Sequence, residues 1–331
     1  MSTTATAGRI ETRDIDELQQ VVQPWDVILR QMSLGRLHTR MDYVQVNGIL
    51  LYREDWSHRI IATGATPPGF FFFGGPISSK THVGWCGSKL SPECLAFGRS
   101  STETDFVTSD GETHICLLVP EDLMLRYLGE ELAERVIPKD HFLSCRHGYG
   151  NQLLQMMARI LDKYFVHRKL LGDDQVCKAI EWQLLGGLVE FMLTSAGEST
   201  CLSQSARYLP VLRAMKLCEN LRRPITVSEL AAASGVSKRV LELGFQEVTK
   251  TTPRDFMRWD RLNWIRKELL AADSGSASVT QIAGGLGITE LGRFAVEYKR
   301  LFCESPSTTL SREFIVPPRR FSDVLQEASD R

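Results

Sequence analysis

The chain has 331 residues, of which 43% are hydrophobic and 24% are charged, and its formal net charge is −1. This length suits two domains, and the hydrophobic fraction is sufficient for a core in each. No apolar run approaches the roughly 20 residues of a membrane span, and Met1 to Thr12 lacks the apolar centre of a secretion signal, so we expect a cytoplasmic protein without membrane contact.

Charge is distributed unevenly along the sequence. Between Arg207 and Arg320 there are 19 Lys and Arg residues against 12 Asp and Glu residues, a net charge of +7, so the rest of the chain carries −8. A basic C-terminal third on an acidic body is typical of a polyanion-binding module joined to another domain. The eight cysteines include no C-x-x-C pair, which predicts reduced, mostly buried thiols.

Short β-rich segments fill the region from about residue 40 to residue 119. Asn-Gly, Pro-Pro-Gly, Gly-Gly-Pro and Ser-Asp-Gly turns separate them. The pattern predicts a small antiparallel β-barrel or roll, cupin-like, which encloses a pocket more readily than a helical bundle does. The segments are Tyr43–Arg53, Arg59–Ala62, Gly69–Phe73 and His114–Val119.

Aromatic residues and histidines are the candidate functional groups of this region. The Phe70–Phe73 run and Trp25, Trp56 and Trp85 favour an apolar core, with the lining of a cavity as the alternative. The seven histidines are scattered without an H-x-H pair, so we expect no metal site. The sequence has no nucleophile elbow, phosphate loop or dinucleotide fingerprint, so we expect no catalytic residues and no enzyme.

Helical patterns follow from Leu123 to Leu193. Such helices form a dimer surface, a cover for the barrel or buried core, and buried core is the favoured use. The polar, small residues from Ser195 to Tyr208 predict a linker.

One pattern then occurs twice. Thr226-Val-Ser-Glu and Ser278-Val-Thr-Gln each place a hydroxyl residue three positions before Glu or Gln, the capping-box signal of a helix start. Each copy continues with Leu or Ile and Ala, then a Gly, then Ser237 or Thr289 as the cap of a second helix. This is the sequence pattern of a helix-turn-helix, and it predicts two units at about 226–248 and 278–302.

The repeat also predicts how the units are held. The apolar pairs Leu241/Phe245 and Phe294/Tyr298 are spaced by four residues, so each lines one helix face against a scaffold. Thr252-Pro253-Arg254-Asp255 predicts the start of a long connecting helix that runs to Ala272. Close approach to DNA or to a neighbouring helix would explain Gly244 and Gly292, which lie inside the second helices.

The C-terminal residues carry a family resemblance. Arg261-Leu-Asn-Trp-Ile-Arg-Lys-Glu-Leu-Leu270, Ile282-Ala283, Gly287, Phe294, Tyr298–Phe302 and Pro306 resemble the signature of the AraC/XylS family over roughly residues 208–312. The resemblance implies two units on one face of DNA with their second helices in successive major grooves, about 34 Å apart. The fold class we expect is therefore α+β, with an effector and dimerisation domain at 1–200 and an all-α DNA-binding domain at 201–320.

Eight residues of the second helices are the expected DNA contacts. Arg pairs with guanine, Glu with cytosine, and Lys with guanine or phosphate, whereas the later cations meet phosphates. The eight are Ser237, Lys238, Arg239, Glu242, Glu290, Arg293, Lys299 and Arg300.

A narrower resemblance concerns the effector. Leu37–Val46, Leu51–Glu54, Phe71–Pro76, Leu291–Tyr298 and Pro306–Leu310 resemble the ethanolamine-operon branch of the family, which implies activation by ethanolamine with adenosylcobalamin. We expect a transcription activator that responds to a small molecule, with promoter DNA, RNA polymerase and a second copy of the chain as partners. The alternatives are a β-roll enzyme whose C-terminal helices only pack or dimerise, and a DNA binder without a ligand.

Overall fold

The computed structural model describes residues 5–77, 84–90, 94–138, 142–144, 149–195, 205–221, 224–312 and 319–326. Strands dominate as far as Pro120 and helices dominate after it. In chain order the elements are β1 (Ala5–Thr12), α1 (Ile15–Val21), β2 (Asp26–Gln31), β3 (Thr39–Val46), β4 (Ile49–Trp56), β5 (Ile60–Ala65), β6 (Phe70–Pro76), β7 (Gly84–Trp85), β8 (Ser88–Lys89), β9 (Cys94–Gly98), β10 (Glu103–Val107), β11 (Glu112–Pro120), α2 (Glu121–Leu128), α3 (Glu130–Val136), β12 (Phe142–Ser144), α4 (Tyr149–Val166), α5 (Asp174–Ser195), α6 (Tyr208–Leu221), α7 (Val227–Ala233), α8 (Lys238–Val248), α9 (Pro253–Ala271), α10 (Val279–Gly285), α11 (Leu291–Phe302), α12 (Pro306–Leu310) and α13 (Phe321–Gln326).

Within the described ranges, the strands form two antiparallel sheets. The larger has the order β1-β3-β4-β11-β6-β9-β12, and the smaller has the order β2-β5-β10-β7-β8. Asn47 and Gly48 connect β3 to β4 with positive φ values of 50° and 83°, the conformation that a tight Asn-Gly hairpin requires. The antiparallel β-architecture predicted for this region is confirmed.

The larger sheet is buried on both faces. Phe72 on β6 packs between the two sheets, whereas its neighbours Phe71 and Phe73 point to the opposite face, because successive strand residues alternate. Burial on both faces explains the uninterrupted Phe70–Phe73 run.

Helices α2 to α5 cover the outer face of the larger sheet. Leu154 and Met157 of α4 and Leu184 and Leu188 of α5 belong to the same buried cluster as the outward strand residues. The helices predicted between Leu123 and Leu193 therefore exist. They contribute buried core, the favoured interpretation, and they also cover the sheet, one of the alternatives. Most of the predicted linker, residues 196–204, lies outside the described residues.

The first strands lie closer to the N-terminus than the sequence predicted. β1 pairs with β3 along its whole length, from Ala5 opposite Val46 to Thr12 opposite Thr39, and β2 pairs with β5. At the other end of the chain, α13 returns to the β-region, where the ring of Phe321 lies 4.7 Å from that of Tyr52. In the portion described, none of the helices has both the length and the apolar character needed to cross a membrane.

Candidate nucleic-acid interface

The first helix-turn-helix unit consists of α7 and α8. The Thr226 hydroxyl accepts a hydrogen bond from the Glu229 backbone N–H, and the Glu229 carboxylate accepts one from the Thr226 backbone N–H, so the predicted capping box is confirmed. Gly235 forms the turn with φ +75°, a conformation that glycine adopts without strain. The Ser237 hydroxyl then caps α8 by accepting from the Val240 backbone N–H at 3.3 Å.

The second unit, α10 and α11, repeats this plan with one difference. Ser278 and Gln281 form the capping box, and Gly287 turns with φ +77°. The predicted cap at Thr289 is wrong: α11 has Glu290 at its N-cap, without a side-chain cap hydrogen bond. The second copy has one more residue between the turn Gly and the first member of the buried apolar pair, Phe294 in place of Leu241, so the helix starts one position later.

Both second helices bury their predicted apolar pairs. Leu241, Phe245 and Tyr298 are fully buried, and Phe294 is 4% exposed. They pack with α9, which is capped by Thr252 as predicted and extends to Ala271. Burying these faces directs the opposite face of each helix toward solvent.

All eight predicted contact residues lie on exposed surface. Lys238, Arg239 and Glu242 lie at the start of α8, and Arg293, Lys299 and Arg300 lie on α11. Ser237 and Glu290 are the N-cap residues of these two helices. Salt bridges within each helix join Lys238 to Glu242 at 3.9 Å and Arg293 to Glu297 at 3.0 Å. Exposed pairs of this kind contribute little to stability, so these side chains are available to a ligand.

The two helix glycines have different environments. A Cβ at Gly244 would lie 2.8 Å from Cγ2 of Val211 on α6, so close helix packing explains this glycine. Among the described residues, no atom lies within 4 Å of a Cβ built at Gly292, so this position faces open space. Two aliphatic side chains that the sequence interpretation did not select, Leu243 and Val296, share the exposed faces.

Strand β2 of the β-region contacts the connecting helix α9 through ion pairs and hydrogen bonds. Arg30 of β2 forms salt bridges with Asp260 at 2.6 Å and with Glu219 at 3.1 Å, and its side chain is 4% exposed. The neighbouring Gln31 shares hydrogen bonds with Asn263. Helix α9 carries both helix-turn-helix units, so these contacts connect the β-region to the candidate interface.

A second ion cluster, centred on the buried Arg266, joins α9 to the N-terminus of α1. Arg266 pairs with Asp14, with Asp16 at 2.8 Å and with Glu304, and its side chain is 3% exposed. Burial raises the pKa of the Asp16 carboxyl to about 6, against the opposite effect of Arg266. The sequence did not indicate this cluster, because its members are up to 290 positions apart.

A cavity of about 50 Å³ lies between the two sheets. It is lined by Trp25, Trp56, Trp85 and Phe72. These aromatic residues are therefore buried in the core, as favoured, and they also line a cavity, which was the alternative. Burial raises the pKa of Glu54, which faces the cavity, to about 7. Its carboxylate accepts a hydrogen bond from the Trp56 indole N–H at 3.3 Å.

Across the described ranges, no group of three or more His, Cys, Asp or Glu side chains is placed to hold a metal ion.

Comparisons with known proteins agree with this geometry. A family model described as a helix-turn-helix domain matches residues 230–312. The probable thc operon regulatory protein of Rhodococcus erythropolis is 45% identical over 89 residues, which are 27% of each chain. The XylDLEGF operon transcriptional activator 2 of Pseudomonas putida is 38% identical over 93 residues, 28% of this chain and 59% of that protein. The matches thus span less than two thirds of either relative.

A solved structure is similar to about a third of the chain. The probable AraC family transcriptional regulator of Rhodopseudomonas palustris is 33% identical, over 33% of this chain and 98% of that chain, with a TM-score of 0.29. The geometry and the family model define a helix-turn-helix domain within residues 230–312. More particularly, part of the chain is similar to an operon regulatory protein and to an operon transcriptional activator. The enzyme alternative is not favoured.

Proposed function

We propose that this protein is a sequence-specific transcription activator that binds promoter DNA through α8 and α11 and acts with RNA polymerase in the cytoplasm. The observation that carries the proposal is the duplicated helix-turn-helix with both second helices exposed. Cations on those faces suit a polyanion, and their neighbours offer groups that read bases. The operon regulatory protein and the operon activator that are similar to part of this chain support the same role.

A binding assay with matched variants tests the proposal. We expect removal of three cations from α8 and α11 to weaken duplex binding strongly, and removal of three exposed cations from the helical cover to leave it unchanged. Equal binding by both variants would refute the proposal. The test variant is Lys238→Ala/Arg239→Ala/Arg293→Ala, and the control is Arg126→Ala/Lys169→Ala/Lys178→Ala.

We assign the effector to the cavity between the sheets. Three tryptophan rings and the Glu54 carboxylate give it both apolar and polar character. The proposed link to the ethanolamine-operon branch fits this site in part: a molecule of ethanolamine's size suits a cavity of about 50 Å³, whereas adenosylcobalamin is far larger than that space.

Thermal unfolding against candidate metabolites, ethanolamine among them, tests the effector assignment. A ligand at 100 times its Kd adds about 2.7 kcal/mol to the free energy of unfolding. We expect a shift in the wild type that is smaller in Glu54→Gln. The absence of any shift across a broad panel would favour a DNA binder that needs no ligand.

The proposed mechanism is a change in how the β-region holds α9. A ligand changes activity only if it binds two arrangements with different affinity. The contacts of Arg30, Gln31 and Arg266 join the cavity-bearing β-region to the helix that carries both units. In this mechanism the chain consists of an effector domain up to about residue 200, which also dimerises, and a DNA-binding domain after it.

A further inference from the structure

The exposed face of α11 has an aliphatic residue at its centre. Residues two positions apart on a helix differ in direction by about 200°, so Val296 points away from the buried Phe294 and Tyr298. Val296 is 53% exposed. Its side chain therefore meets water at the point of the helix farthest from the core.

Helix α8 has the same arrangement. Leu243 lies two positions from both Leu241 and Phe245, which are fully buried, and is itself 48% exposed. In the repeat, Leu241 and Phe245 correspond to Phe294 and Tyr298, so Leu243 and Val296 occupy equivalent positions. Two units with different surface charges thus share an exposed aliphatic centre.

The surroundings of these aliphatic residues suit a nucleic acid. Arg293 and Arg300 lie on one side of Val296 along the helix surface and Lys299 lies on the other, and all three are exposed. Gly292, one turn before Val296, leaves open space beside it. At the equivalent place one turn before Leu243 is Arg239, also exposed. An apolar side chain surrounded by cations is complementary to a surface that has anionic groups along its rim and apolar groups on its floor.

The major groove of B-form DNA is such a surface. Phosphates form its rim, and the C5-methyl of thymine is the apolar group on its floor. We propose that Leu243 and Val296 each contact a thymine methyl, so that each unit selects a T·A pair at the centre of its half-site. This inference rests on the proposed function, since it names the bases that the two helices read.

Substitution of deoxyuridine for thymine tests the inference, because it removes the methyl and keeps base pairing. The duplex is an operator selected by the full chain from random sequences. At one thymine in each half-site we expect the wild type to lose affinity by roughly fourfold, the factor for one buried methyl-sized group.

Alanine variants assign each methyl to its side chain. We expect Val296→Ala to bind the thymine operator more weakly and to lose nothing further from deoxyuridine at its own site, while it stays sensitive at the other site. Leu243→Ala should show the reverse. Val166→Ala, a change at a 70% exposed position of α4, should respond as the wild type does.

The outcomes separate the two proposals. A selected operator that tolerates deoxyuridine at every thymine, or variants as sensitive as the wild type at both sites, would overturn the thymine inference and leave the DNA-binding proposal standing. Selection of no sequence at all would overturn both. Thermal unfolding checks that each variant is folded.

Discussion

Asn263 of α9 pairs with the backbone of Gln31 on β2 through two reciprocal hydrogen bonds. The Gln31 N–H donates to Oδ1 of Asn263 at 3.0 Å, and Nδ2 of Asn263 donates to the Gln31 carbonyl at 3.0 Å. Strand β2 is at one end of the smaller sheet, so the side-chain amide satisfies backbone groups that a neighbouring strand would otherwise pair. The connecting helix is thereby fixed to the sheet edge.

Replacement of Asn263 tests how much this pair of hydrogen bonds stabilises the folded protein. Asn263→Leu leaves a buried N–H and a buried carbonyl of Gln31 without these partners, and such groups cost about 1–3 kcal/mol each. We expect the free energy of unfolding, measured in urea, to fall by at least about 2 kcal/mol. Asn220→Leu, at an exposed position of α6, is the control and should change it little. Equal effects would show that the pair contributes nothing.

Arg266 should matter more than another arginine of the same helix. Arg266→Met removes a buried cation from the half-buried Asp14, Asp16 and Glu304, although Arg312 still contacts Asp14 and Glu304. We therefore expect a loss of about 3 kcal/mol, the lower end of the range for a broken buried pair. Arg258→Met removes an exposed pair with Asp255, worth about 0–1 kcal/mol, and a cation–π contact with the Trp259 ring, worth about 0.5–1 kcal/mol at an exposed site. Urea unfolding of both variants measures the difference; comparable losses would contradict the role given to this ion cluster.

The two glycines of the second helices should respond in opposite directions to alanine. Alanine is favoured over glycine within a helix by about 1 kcal/mol, so Gly292→Ala, which faces open space, should stabilise. Gly244→Ala would drive a methyl against Val211 and the Arg207 carbonyl, and overpacking costs about 1–3 kcal/mol. We expect net destabilisation there. Thermal unfolding measures whether each change stabilises or destabilises the protein. Stabilisation by both changes would exclude close packing against α6 as the reason for Gly244.

Glu54 should make stability depend on pH. Burial raises the pKa of its carboxyl from 4.5 to about 7, and His114 opposes this effect from β11. The folded protein therefore holds this proton more tightly than the unfolded chain, so the stabilisation is complete below pH 4.5 and is lost as the pH rises toward 7. The loss is on the order of 3 kcal/mol.

Paired variants isolate this effect. We expect the stability of the wild type relative to Glu54→Gln to decline between pH 4.5 and 7 in urea unfolding. Glu103→Gln removes a carboxylate that is 83% exposed and should follow the wild-type curve. Parallel curves for the wild type and Glu54→Gln would mean that Glu54 titrates at its ordinary pKa.

The features that sequence predicted well are encoded locally. Both capping boxes, the turn glycines and the Asn47-Gly48 hairpin depend on residues a few positions apart, and each forms as expected. The cap at Thr289 failed because one inserted residue moves the start of α11, a shift that the spacing of Ser and Thr alone does not reveal.

The features that sequence missed depend on distant partners. The sequence predicted no strand before about residue 40, yet β1 forms and is fixed by pairing with β3. Arg266 is charged within an apolar stripe, and only the approach of α1 to α9 explains why it is buried. The exposed positions of Leu243 and Val296 likewise became evident only when the buried faces of α8 and α11 were fixed by α9.

Hydroxyl-radical footprinting of the full chain on its selected operator is the most direct test of two helices reading one duplex. We expect two protected patches on one DNA face, about 10 base pairs apart. Lys238→Ala/Arg239→Ala should weaken one patch, and Arg293→Ala/Arg300→Ala should weaken the other. A single patch, or the same patch lost in both variants, would contradict recognition by two helix-turn-helix units.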